Sequence, residues 1–145
     1  IMWFYEAWDN IKCQMNDFPI QYTPVRQLDE RLDYYTPVII AADKTLTERP
    51  DMVKSFLAAT QKGYAYAMEK PKESAEILWK YAPNYSLDML VASQEYLASR
   101  YQDDSDRWGV MKDEVWDDYS GFLAEYGVIG EVIPAERCYT NEFLP

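Results

Sequence analysis

The sequence predicts an α/β fold, predominantly helical with a few strands, and three observations carry that prediction. The stretch TPVIIAA, from Thr36 to Ala42, holds four consecutive apolar residues, Val38 to Ala41, as in a strand covered on both faces. Downstream, Val53, Phe56, Leu57, Thr60, Gly63, Tyr64 and Ala67 keep the i, i+3, i+4, i+7 spacing of a helix with one apolar face. Pro71, Ser86 and Gly127 then punctuate three further helical stretches. A buried strand needs hydrogen-bonding partners. Thr36 to Ala42 therefore pairs with the short β-like run Ile20 to Val25 or with sequence outside this chain.

Each element has a local reason. Between Ile1 and Met15, Phe4, Ala7, Trp8 and Ile11 follow helical spacing. A strand through Met2 to Tyr5 leading into a short helix fits the same residues. Asn16-Asp17-Phe18-Pro19 is a turn signal, and the charged run from Arg26 to Asp33 reads as loop or helical turn. Thr45-Leu-Thr-Glu48 matches a capping box, and Pro50 fits the first position of the helix that follows. Pro71 stops that helix and opens another, with Ala75, Leu78, Trp79 and Ala82 as its stripe. Ser86 is the expected N-cap of a third helix, with Leu87, Leu90, Val91 and Leu97 inward. Gln102 to Arg107 is a polar loop. Lys112 to Tyr126 is a fourth helix with Val115, Trp116, Tyr119, Phe122 and Leu123 on one face, ended by Gly127 as a left-handed C-cap. The tail from Val128 to Pro145 has no clear period.

Composition excludes several functions. The 145 residues fit one domain, and a 48% hydrophobic content is enough for an ordered core. A net charge of −11 repels nucleic-acid backbones and anionic membrane surfaces. The chain has no histidine, which removes histidine-based acid–base chemistry, catalytic triads and the commonest transition-metal ligand. Cys13 and Cys138 either form a disulfide worth ~3–5 kcal/mol by loop closure or stand as two buried thiols, and spacing does not choose. With no CxxC there is no zinc or dithiol signal. The acidic loop Asp103-Asp104-Ser105-Asp106 lacks the twelve-residue pattern of a calcium loop and its final Glu. The 13 Tyr and 5 Trp serve core packing or a stacking surface for a planar ligand. The abrupt opening IMWFYEAW reads as the middle of an element, hence as a fragment of a longer protein.

Five short signatures lie in order along the chain. They are Tyr5-Glu-Ala-Trp8-Asp9-Asn-Ile11, Tyr35-Thr-Pro-Val-Ile-Ile-Ala, the helix Pro50 to Tyr64 (PDMVKSFLAATQKGY), Pro71-Lys-Glu-Ser-Ala-Glu-Ile-Leu, and Trp108-Gly109 with Trp116 through Gly127. Together they resemble the carboxyl-terminal part of the NMT1/THI5-like family of ABC-importer solute-binding proteins, whose members include binders of thiamine-precursor pyrimidines. The resemblance runs from Met2 to Leu144. It implies a two-lobed type II periplasmic-binding-protein fold that closes by a hinge motion on a small molecule. Residues 1–42 would be the end of the second lobe and a hinge-crossing strand. Residues 43–145 would be a helical part packing on the first lobe.

The resemblance also implies an extracytoplasmic location, an ABC permease as partner, membrane contact only through that permease or a lipid anchor, and no cofactor. A fragment of such a protein would self-associate through surface meant for the other lobe. In the pyrimidine-binding branch, aromatic rings sandwich the heterocycle and a carboxylate pairs with its nitrogens. Tyr5 and Trp8 match the aromatic positions. Asp9 stands where the family has Glu, one methylene shorter by about 1.5 Å of reach. Tyr34 and Tyr35, before the strand, are further ligand candidates. Packing competes with each assignment: Trp8 shares a helical face with Phe4 and Ile11, and Asp9 also fits a solvated helix position. Trp108 and Trp116 read as packing residues. The implied activity is binding without catalysis. The alternatives are a pyrimidine synthase of the same superfamily, which uses a histidine and a Cys-rich iron-binding stretch, and a helical protein-interaction module.

Overall fold

The computed structural model describes residues 2–18, 20–103 and 105–145, so Pro19 of the turn signal and Asp104 of the acidic loop lie outside the described residues. The helices are α1 (Ile11–Met15), α2 (Asp43–Glu48), α3 (Pro50–Glu69), α4 (Pro71–Trp79), α5 (Leu87–Ala98) and α6 (Asp113–Glu125). A π-helical turn, Glu6–Asn10, leads directly into α1. Short 3-10 turns occupy Val25–Gln27, Glu30–Leu32 and Ala135–Arg137.

The described residues contain no β-strand, which corrects the α/β expectation. Residues 36–42 form no ladder, and neither do residues 20–25. Val38, Ile39 and Ile40 are 42%, 53% and 88% exposed, so the most apolar run of the chain is among its most open. Hydrophobicity alone does not make a strand: its backbone groups must be paired, and among the described residues no segment forms a ladder with it. The helices, by contrast, satisfy their own backbones.

The chain divides into two compact units. One comprises Ile1–Gln21 and Ala59–Trp108, the other Tyr22–Ala58 and Gly109–Pro145. In the first unit α4 packs against α5, and the π-turn and α1 also lie on α5. Its core is Ala75, Met89 and Leu90, with Trp8 and Val91 packed against them. Pro71 opens α4 at its first position. Ser86 caps α5 as expected, its Oγ accepting the Met89 N–H at 3.3 Å. Leu90 is the inward residue that the spacing predicts, and Met89 and Ser93 join it in burial. On α4 only Ala75 is buried, while Leu78 and Trp79 are nearly half exposed. α1 ends with Asp17 at φ 50°, where Phe18 N–H reaches Cys13 O at 3.0 Å. This is a left-handed cap at which Asp replaces the usual glycine. Trp108 is buried against Tyr64 with ring centroids 5.0 Å apart, in agreement with a packing role.

In the second unit α2 starts at Asp43, with Ala42 at its N-cap and no side-chain cap. The capping box at Thr45 to Glu48 is thus not formed, because the helix begins two residues before the expected cap. Pro50 does open α3. The Asp29 carboxylate accepts Arg31 N–H at 3.0 Å and pairs with its guanidinium at 2.7 Å. The same guanidinium reaches Glu125 Oε2 at 2.6 Å and lies 5.2 Å over the Phe122 ring. It therefore ties the 3-10 turn to the carboxyl end of α6, where a cation also suits the helix dipole. The hydrogen bonds from Arg31 hold the Asp29 carboxyl below its ordinary pKa. Gly127, at φ 68°, closes α6: Val128 N–H bonds Leu123 O at 2.8 Å and Gly127 N–H bonds Ala124 O at 3.0 Å, the paired bonds of a Schellman motif. The tail has no period because side chains hold it. Ser120 Oγ accepts Ile133 N–H at 2.6 Å, and Asp117 Oδ1 accepts Ala135 N–H at 2.8 Å. Asn141 brackets Met111 with bonds of 3.1 and 2.8 Å.

Cys13 and Cys138 are both free thiols, and each is half-buried, not buried as the second alternative had it. No helix among the described residues is long and apolar enough to cross a membrane.

Candidate functional site

Of the residues singled out by sequence, Tyr5, Trp8 and Asp9 lie in the first unit, and Tyr34 and Tyr35 in the second.

The first group is brought together by the π-helical turn. Tyr5 is its N-cap residue, in extended backbone conformation, and the residue is 64% exposed. Tyr5 N–H donates to Asp9 Oδ2 at 2.8 Å, and Asp9 N–H donates back to Tyr5 O at 2.8 Å. The first bond lets the carboxylate cap the amide at the start of the turn, and the second is an ordinary i+4 backbone bond. A side chain as short as Asp reaches this local bond. Trp8 is half-buried. Its ring meets Tyr85 edge-on, with centroids 5.0 Å apart and planes 79° apart, and it packs on the Ala75, Met89 and Leu90 core. It is therefore a core residue on one side and partly open on the other. The turn thus displays an exposed phenol, a partly open indole and a carboxylate within five residues. Together these can stack on a flat ring and orient it by a charge-assisted hydrogen bond.

The second group is an aromatic cluster along α6. Tyr34 stacks on Tyr119 at 4.3 Å and 19°. The Tyr35 hydroxyl accepts Lys112 N–H at 3.0 Å, so it satisfies one of the open amides that begin α6. Its ring lies 6.3 Å from Trp116, which in turn stacks on Tyr139 at 5.8 Å and 11°. Tyr139 donates to Asp113 Oδ1 at 2.8 Å. Burial pushes the Tyr139 phenol up to about 12, and the bond to the Asp113 carboxylate adds to the shift. The sign follows from the acid being favoured in the folded state. The phenol contributes stability below its ordinary pKa of 10.0, and that contribution is lost as pH rises toward about 12. An ultraviolet titration of phenolate absorbance should show a late-ionising Tyr139 whose upward shift shrinks on Asp113→Asn without vanishing, because its burial remains. A titration unchanged by that substitution would contradict the assignment.

Sequence reasoning missed two parts of the first group. Tyr85 gave no signal, because it lies in an irregular connection between α4 and α5. Ser93 had one: it interrupts the apolar face of α5, four residues after Met89, and it is 5% exposed. Its hydroxyl donates to Ala7 O in the π-turn at 2.6 Å. The shallow depression lined by Ile129, Gly130, Glu131, Ile133 and Arg137 contains none of the predicted site residues.

Comparison with known proteins bears on these groups. The family model described as NMT1/THI5 like matches residues 1–74, which include all five candidate residues. The 4-amino-5-hydroxymethyl-2-methylpyrimidine phosphate synthase of Legionella pneumophila subsp. pneumophila is 33% identical over 98 residues, covering 68% of this chain and 30% of that protein. The riboflavin-binding protein RibY of Chloroflexus aurantiacus is 20% identical over 117 residues, covering 74% of this chain and 32% of that protein. The chain thus spans about a third of the length of the curated relatives it matches. The family-model match over residues 1–74, joined to the identity with the Legionella protein, places this chain in the NMT1/THI5-like family.

Proposed function

We propose that the protein carrying this chain is the extracytoplasmic solute-binding subunit of an ABC importer, and that it binds a small planar nitrogen heterocycle of the thiamine-precursor pyrimidine class without transforming it. The observation that carries this reading is the π-turn, which sets the Tyr5 ring, the open side of Trp8 and the Asp9 carboxylate on one short segment. Such a set binds by stacking, worth ~0.5–1.5 kcal/mol per good ring pair beyond burial, and takes its orientation from the carboxylate. The names of the two relatives, one carrying a pyrimidine and the other riboflavin, support a flat heterocycle as the ligand class. Tyr34 and Tyr35 are proposed as a separate set of contacts.

A second reading, a pyrimidine phosphate synthase, is favoured by the 33% identity to the Legionella protein.

Titration of tryptophan fluorescence in the intact protein with 4-amino-5-hydroxymethyl-2-methylpyrimidine, and separately with riboflavin, tests the binding reading. It expects saturable quenching by one of them, weakened by Tyr5→Ala. No response to either would overturn it.

A further inference from the structure

The feature that sequence does not announce is the π-helical geometry of Glu6–Asn10. Such turns are rare, occur mostly as single-turn insertions, and concentrate at functional sites because they re-aim side chains. Left alone, a wide turn relaxes toward the better-packed α-helix, so something must hold it. Two bonds do so here. At its start, the Tyr5 N–H donates to Asp9 Oδ2 at 2.8 Å. At its middle, Ser93 Oγ, from α5 and 86 residues along the chain, donates to Ala7 O at 2.6 Å. Ala7 immediately precedes Trp8, so this bond fixes the peptide from which the indole projects.

Ser93 has no other role in view. It lies on the buried face of α5 beside Met89 and Leu90, where an apolar residue would pack with no polar group to satisfy. Its hydroxyl is accounted for by the Ala7 carbonyl alone.

We propose that Ser93 is a positioning residue for the heterocycle site: by clamping the Ala7 carbonyl it holds the π-turn open and so sets where Trp8 and Tyr5 meet the ligand. This rests on the heterocycle-binding reading. The relevant magnitude is a misplaced stacking ring together with a lost buried hydrogen bond, which corresponds to about tenfold in affinity.

The test compares wild type, Ser93→Ala and Ser93→Thr in the intact protein. Three readouts are needed: dissociation constants for 4-amino-5-hydroxymethyl-2-methylpyrimidine and riboflavin, the near-ultraviolet circular dichroism of the Trp8–Tyr85 pair, and the far-ultraviolet helix signal. The expected result for Ser93→Ala is an affinity weaker by about tenfold, an altered near-ultraviolet band and an unchanged helix signal. Ser93→Thr, which keeps the hydroxyl, should restore affinity and band together. Wild-type affinity in Ser93→Ala would overturn the inference and leave the binding reading standing. An altered band with unchanged affinity would do the same, by making the clamp purely structural. If wild type binds neither compound, both the inference and the reading it rests on fall.

Discussion

Leu90→Ala is expected to cost about 2–5 kcal/mol of stability. Leu90 is 2% exposed and is the largest fully buried side chain among the described residues. Its neighbours explain why the cost falls toward the upper part of the range. Ala75 is already minimal, and Met89 and Trp8 are held by their own helices, so the space left by the leucine is not refilled. The core around it is thin: Ala75 and Met89 are its other buried members, with Trp8 and Val91 packed against them. Urea unfolding would show a lower midpoint with an unchanged slope. A loss below about 1 kcal/mol would mean that the Ala75, Met89 and Leu90 cluster is not what holds the first unit together.

Trp8 carries the second large effect, and it joins stability to function. Trp8→Ala removes both the contact with the core and the edge-on partner of Tyr85, for a loss of about 2–4 kcal/mol. The same substitution is expected to abolish saturable ligand quenching. Because a destabilised protein also binds poorly, the informative variant is Trp8→Phe. Phenylalanine keeps an aromatic edge for Tyr85 and most of the apolar contact. It offers less ring area to a heterocycle and no indole N–H. The account predicts Trp8→Phe to retain a thermal midpoint close to wild type while affinity falls several-fold. Equal affinity in Trp8→Phe and wild type would assign Trp8 to the core alone and leave Tyr5 as the stacking residue.

What sequence made legible, and what it did not, follows from how local each determinant is. Pro50, Pro71, Ser86 and Gly127 act within a few residues, through fixed backbone angles or a single cap bond, and each marks a helix end where the structure has one. The run from Val38 to Ala41 misled because a strand is not a local object. Its apolar character is real, yet the described residues give it no strand partner and Ile40 stands 88% exposed. Thr45 to Glu48 matched a capping pattern that could equally lie inside a helix, and α2 begins at Asp43 instead. The candidate site shows the same division. Tyr5, Trp8 and Asp9 were visible as a motif, but the π-turn that gathers them depends on Ser93, far along the chain, and no spacing rule connects position 7 to position 93. Tyr34 and Tyr35 were visible as an aromatic pair. Their partners Tyr119 and the Lys112 amide emerge only when the chain is folded.

The central claim is that the protein retains a planar heterocycle and leaves it unchanged. The most direct measurement is equilibrium dialysis of the intact protein against 4-amino-5-hydroxymethyl-2-methylpyrimidine and against riboflavin, followed by mass spectrometry of the recovered small molecules. The account predicts that one of the two compounds is retained saturably and recovered chemically intact. Appearance of a pyrimidine phosphate would contradict it in favour of a synthase, and retention of neither compound would contradict heterocycle binding itself.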